Sequence, residues 1–284
     1  MPQVAAIYGF EFTLSFQAAG LTFTPASEDS TKAKHLARSL GAYNLTGTVS
    51  APNLNRERLY HLEAVLSFIE HLDVRVSEMV TDDAAITTPH DFFESTVAGG
   101  SRNSGGGAVV GRDAFNPWRT SRQQFIELAL VKLADEEFCR KTKFNALFFK
   151  AVETFRQRRP FLDISYFLLM SGLEAFARSS MNDYTSKASV PITQLLSGYG
   201  FRVYEDHPGE LARAMTTYLH IRNALFHQGE YSKTIMINSD QVTLDGSAHL
   251  YNLSMLVSLT CMKAIGFDDG HTNWDCWIDR QLHC

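Results

Sequence analysis

Residues 161–179, FLDISYFLLMSGLEAFARS, constrain the fold more than any other stretch. They are apolar almost all the way round at helical spacing, and Glu174 is the only acid between Ser165 and Met181. A helix without a polar face buries itself, so the pattern predicts a helix at the centre of a bundle. The flanking sequence supplies the rest of that bundle. SRQQFIELALVKLADEEFCRK opens on a serine cap and repeats apolar residues at Phe125, Leu128, Ala129, Val131 and Leu133. KFNALFFKAVETFRQ precedes the central helix, and VPITQLLSGYG and GELARAMTTYLHIRNALFHQG follow it. KTIMINSDQVTLDG reads as a hairpin, and a last helix spans residues 248–265.

The first ninety or so residues have a different texture. IYGFEFTLSF alternates cleanly, with Tyr8, Phe10, Phe12, Leu14 and Phe16 on one face, as a half-buried strand requires. LTFTP and YNLTGTVSA read as further strands, separated by a short helix in SEDSTKAKHLARSLG that ends at Gly41. LNRERLYHLEAVLSFIEHLD carries Leu59, Leu62, Val65, Leu66 and Ile69 at helical spacing, and VRVSEMV is strand-like. STVAGGSRNSGGGAVVGR then reads as a flexible linker, since it lacks the GxxxxGK[ST] order of a phosphate-cradling loop. The fold class expected is α+β, in two parts. Residues 1–112 form an N-terminal unit on an antiparallel sheet, and residues 113–284 form an all-α bundle with a small β-hairpin insertion.

Composition narrows the function classes. Of 284 residues, 45% are apolar and 20% charged, which is ordinary for a globular chain, and the formal charge of −5 advertises no nucleic-acid binder. A local basic patch would override that total. Four widely spaced cysteines without a CxxC pair, and an N-terminus without a secretory pattern, point to reduced thiols in a cytoplasmic protein. YNLSMLVSLTCMKAIGF, the longest membrane candidate, is too short and too polar to span a bilayer.

The chemistry-bearing candidate lies in HIRNALFHQGE. The string Arg-x4-His occurs three times, at Arg56 and His61, Arg202 and His207, and Arg222 and His227. Only the last is anomalous. At 100° per residue Leu211, Met215, Tyr218, Leu225 and Phe226 share an apolar sector, and Arg222 falls inside it. A guanidinium there needs a partner, and Glu174 is the acid available, either for Arg222 across two helices or for Arg178 four residues along its own helix. His227 ends the helix just before Gly229, with Asn223 one turn back and able to reach its ring.

The pair YFLLMSGLEAFA and RNALFHQG resembles the HEPN superfamily, in particular its ApeA-like branch, over roughly residues 120–284. That family is a helical bundle with an acid on one helix and Arg-polar-x3-His on a later one. The matching positions are Glu174, Arg222, Asn223 and His227. The resemblance implies metal-independent RNA cleavage at a composite site across a homodimer, in the role of a toxin or antiviral-defence effector. No cofactor is implied, and the N-terminal unit would sense a trigger or select the substrate. The alternative is a non-catalytic module in which Arg222 and Glu174 are a structural pair and the dimer binds RNA, a nucleotide or a protein.

Two further clusters complete the reading. RQRRP offers Arg156, Arg158 and Arg159 to an RNA backbone, with Lys141, Lys143 and Lys150 toward the same end, although a solvated helix end gives the same run. His271, Cys276, His283 and Cys284 match no zinc spacing, and Trp274 and Trp277 suggest a tail that packs down.

Overall fold

The structure, a computed structural model, describes residues 3–81, 93–97, 102–111, 120–157 and 159–283. It is mixed α+β and divides into two compact units. The first comprises residues 1–134 with 155–159 and 267–271, and the second comprises 135–154, 160–266 and 272–284.

The first unit contains β1 (Gln3–Tyr8), β2 (Phe16–Ala18), β3 (Leu21–Pro25), α1 (Ser30–Arg38), β4 (Tyr43–Ala51), α2 (Arg56–Glu70), β5 (Arg75–Val76), β6 (Val80–Thr81), β7 (Thr96–Val97) and α3 (Ser121–Ala134). Its strands pair antiparallel in the order β2-β3-β4-β1-β5, with β6 also on β1 and β7 on β4. Asn55 caps α2 by accepting from the Arg58 N–H at 2.8 Å, and the helix buries Leu59, Leu62, Val65, Leu66 and Ile69. Phe68 stacks on Phe125 of α3 with ring centres 5.2 Å apart.

Three expectations are corrected here. The strand read over residues 7–16 is split, because Gly9 takes a φ of +86° after β1. A side chain at Gly9 would place its Cβ 2.5 Å from the Arg102 guanidinium, so glycine is required twice over. The glycine-rich linker is, over residues 102–111, part of the fold. Arg102, Ala108, Val109 and Val110 are buried there, and Arg102 donates to the carbonyls of Ala37 (2.7 Å), Ser39 (3.0 Å) and Asp73 (2.8 Å). The boundary expected at residue 112 falls at Ala134 instead, because α3 buries Phe125, Ile126 and Arg122 within the first unit.

That unit hides a charged core. Glu70 is fully buried, with Arg122 Nη1 2.6 Å and Arg38 Nη1 3.2 Å from its carboxylate, and it accepts from the Glu11 N–H at 2.9 Å. Burial alone would push its carboxyl up. The charges of Arg122 and Arg38 and the Glu11 N–H outweigh that and hold it below the usual carboxylate range. His71, next in sequence, stacks on Phe155 and is buried. Burial, with Arg38 nearby, lowers it to about 4.

The second unit contains α4 (Glu136–Thr142), α5 (Phe144–Arg156, through Thr154), α6 (Leu162–Met181), α7 (Ser189–Gly198), α8 (Met215–Gln228), β8 (Ser232–Ile237), β9 (Asp240–Asp245), α9 (Gly246–Ala264) and α10 (Cys276–Asp279). The hairpin forms as expected. β8 and β9 pair antiparallel around Asn238 and Ser239, both at positive φ, which is the two-residue turn that matches strand twist. Trp277 is fully buried. No helix among the described residues is long and apolar enough to cross a membrane.

Candidate functional site

The site is built from α6 and α8. α6 buries Tyr166, Leu169, Met170, Leu173 and Phe176 but leaves Ile164 and Phe167 exposed. It is therefore central on one side only, and its second apolar stripe faces outward. α8 starts at Met215, later than the apolar pattern suggested, because Leu211–Arg213 form a separate 3-10 turn. Its core face is Met215, Tyr218, Ile221, Ala224 and Leu225, while Phe226 is 47% exposed. Phe167 and Phe226 meet with ring centres 4.7 Å apart. With Asp163, Ile164 and Leu225 they line a groove of about 310 Å³.

Arg222 sits at the edge of the core face. Its side chain is 31% exposed and its Nη2 lies 3.5 Å from Glu174 Oε2. The other carboxylate oxygen, Oε1, accepts from Arg178 Nε at 2.9 Å. Glu174 therefore meets both arginines, and Arg178 is the tighter partner. Arg178 is fixed further by the carbonyls of Asp183 (3.3 Å) and Ser186 (3.1 Å), so the carboxylate is held on α6 before Arg222 approaches it. Arg222 Nε is buried without a hydrogen-bond partner, and no hydrogen bond is made by the guanidinium among the described residues.

Gly229 ends α8 in the left-handed region at φ 67°, with its N–H on the Leu225 carbonyl at 3.1 Å and the Glu230 N–H on Ala224 at 3.2 Å. That closure leaves His227 in the last turn, exposed. Asn223 is exposed too, and the expected hydrogen bond between its side chain and the His227 ring is not formed, so both remain open to a ligand. Five residues on a helix separate Arg222 and His227 by about 140°, so their side chains leave α8 in different directions.

The arginine run divides. Arg156 is 12% exposed, with Nε 3.1 Å from Asp73 and Nη2 on Glu63. It clamps the first unit internally and is removed from the candidate phosphate contacts. Arg159 is exposed, and Arg158 lies outside the described residues. Among the described residues no cluster of His, Cys, Asp and Glu is placed to hold a metal. Lys150, which the sequence places toward a basic helix end, reaches α6, its ammonium donating to Ser171 Oγ at 2.9 Å. The signal available was Gly172, where an added Cβ would come 3.3 Å from Leu147 Cα of α5.

In comparisons with known proteins, no family model, no curated protein and no solved structure matches this chain. Function is therefore read from the residues themselves.

Proposed function

We propose that the chain is a metal-independent endoribonuclease of HEPN type, a toxin or antiviral-defence effector, with Arg222 and His227 as its catalytic residues. One observation carries this reading: a half-buried guanidinium paired with Glu174 of α6 through Nη2, its Nε without a hydrogen-bond partner, five residues from an exposed histidine and beside an exposed asparagine. In cleavage through the ribose, the 2′-oxygen attacks the adjacent phosphorus and the 5′-oxygen leaves. One proton must be taken from the nucleophile and one given to the leaving group. His227 supplies an imidazole, whose ring nitrogens can take one proton and give another. Arg222 places a permanent cation on the phosphate oxygens as charge develops. Asn223 orients the ring or contacts phosphate.

A second copy of the chain completes the site. The divergence of Arg222 and His227 leaves each half a catalytic pair, and the exposed Ile164, Phe167 and Phe226 beside them form an apolar face that packing of two motif helices would bury.

Purified protein carrying His227→Ala or Arg222→Ala is expected to lose RNA cleavage while keeping its circular dichroism. Either variant cutting at the wild-type rate would sink the assignment. Phe226→Asp is expected to yield an inactive monomer by size-exclusion chromatography.

The anchored Glu174–Arg178 pair supports a second reading, a binding module in which Arg222 is structural. Loss of stability in Arg222→Ala with unchanged RNA behaviour would select it.

A further inference from the structure

Lys150 is half-buried on α5, and among the described residues it has no carboxylate partner. Its ammonium has three protons, of which Ser171 Oγ takes one at 2.9 Å, and it lies 5.9 Å from the centre of the Phe167 ring. The Ser171 hydroxyl in turn donates to the Leu168 carbonyl at 3.3 Å, so its orientation is fixed by its own helix. The seat is built by close approach of two helices. A Cβ on Gly172 would come 3.3 Å from Leu147 Cα and 3.5 Å from Lys150 Cδ. Burial of this cation lowers its pKa, the mark of a charge that its surroundings do not compensate.

Position gives this lysine its meaning. Phe167, Ser171 and Glu174 fall at i, i+4 and i+7 on one stripe of α6. α8 reaches that stripe through Arg222 on Glu174, and α5 reaches it through Lys150 on Ser171. Residues three apart on a helix surface lie about 5–6 Å from each other at Cβ. Two cations from two different helices thus reach one stripe of α6, at positions three residues apart. Only Arg222 is paired with an acid.

We propose that Lys150, seated on Ser171, is a second phosphate-binding position of this site, holding the backbone phosphate of single-stranded RNA next to the one that Arg222 engages. The proposal rests on the ribonuclease reading of Arg222 and His227. Lys150 is a positioning residue: it binds the strand and takes no part in proton transfer.

The test uses the full chain with His227→Ala, so that a fluorescein-labelled single-stranded oligoribonucleotide is bound without being cut, and titrates affinity against salt. Adding Lys150→Met, which keeps the apolar stem over Phe167, should weaken binding roughly tenfold, the loss of one charged hydrogen bond. The slope of log affinity against log salt should fall by about 0.7, one phosphate contact on a single strand. Lys150→Arg should retain the slope. With His227 intact, Lys150→Met should raise KM and leave kcat. If Lys150→Met fails to fold, Ser171→Ala, which unseats the ammonium, should weaken binding and lower the slope in the same direction. RNA bound with unchanged affinity and slope overturns this proposal alone, leaving Lys150 as a cover over Phe167. RNA neither bound nor cut by the otherwise wild-type chain overturns the ribonuclease reading and this proposal with it.

Discussion

Glu70→Gln isolates the charged core of the first unit. The substitution keeps the size of the side chain and an oxygen for the Glu11 N–H, but it removes the charge that faces Arg122 at 2.6 Å. Arg122 has a side-chain exposure of 1% and cannot turn to water. Stranding one member of such a pair costs about 3–5 kcal/mol. Because glutamine still accepts hydrogen bonds, the lower end, about 3 kcal/mol, is expected. At about 2–4 °C per kcal/mol for a chain of this size class, the melting temperature should fall by roughly 6–12 °C in scanning calorimetry. Arg122→Met should cost less, since Arg38 and the Glu11 N–H still satisfy Glu70. The double variant should recover part of the glutamine loss, because the fully buried Arg122 charge is then gone and only the partly exposed Arg38 has lost its carboxylate. A loss below about 1 kcal/mol in Glu70→Gln, or strict additivity in the double variant, would refute Glu70 as the counter-ion of Arg122.

The pH dependence of stability follows from two neighbouring groups. His71 has a folded pKa lowered to about 4 by burial, so the unfolded chain takes its proton first as pH falls from about 6.5. Stability should drop by about 3 kcal/mol between pH 6.5 and 4, and His71→Asn, which tolerates the left-handed backbone there, should flatten the urea midpoint over that range. Glu70 is depressed, so its contribution is complete above the ordinary carboxylate range and fades only as pH falls through its folded value; Glu70→Gln should flatten the acid limb below the His71 window. Gly9→Ala adds a Cβ against the Arg102 guanidinium at a φ of +86°, and a loss of about 2–3 kcal/mol in chemical denaturation is expected.

The sequence carried the elements whose period was long or whose turn was explicit. YNLTGTVSA coincides with β4, LTFTP with β3, and the Asn238–Ser239 turn fixes the hairpin. What it hid depends on tertiary partners. The alternation from Tyr8 to Phe16 looks like one strand, yet the chain breaks at Gly9 to make room for Arg102, ninety-three residues away. The glycines around Arg102 look like a linker because composition records local freedom and not the carbonyls waiting for a guanidinium. Glu70 and Arg122 sit in helices whose apolar spacing tolerates one charge each, and nothing local announces that the two charges meet.

Tertiary partners also separate the three Arg-x4-His strings. Arg56 is paired with Glu78, both more than four-fifths exposed, and Arg202 is paired with Glu210 and Tyr204 near the surface. Each is an ordinary solvated contact that contributes little. Arg222 differs because its Nε is buried with no partner while its fork meets a carboxylate already claimed by Arg178. A half-buried cation in that state is held in place without being fully satisfied, which is why the proposed function assigns it a phosphate. The periodicity that placed Arg222 in the apolar sector was slightly too generous, since Phe226 turned out to face water. That outward turn sets an apolar face beside Arg222 and the exposed His227, and under the proposed function it is this face that a second chain would bury while a phosphate meets Arg222.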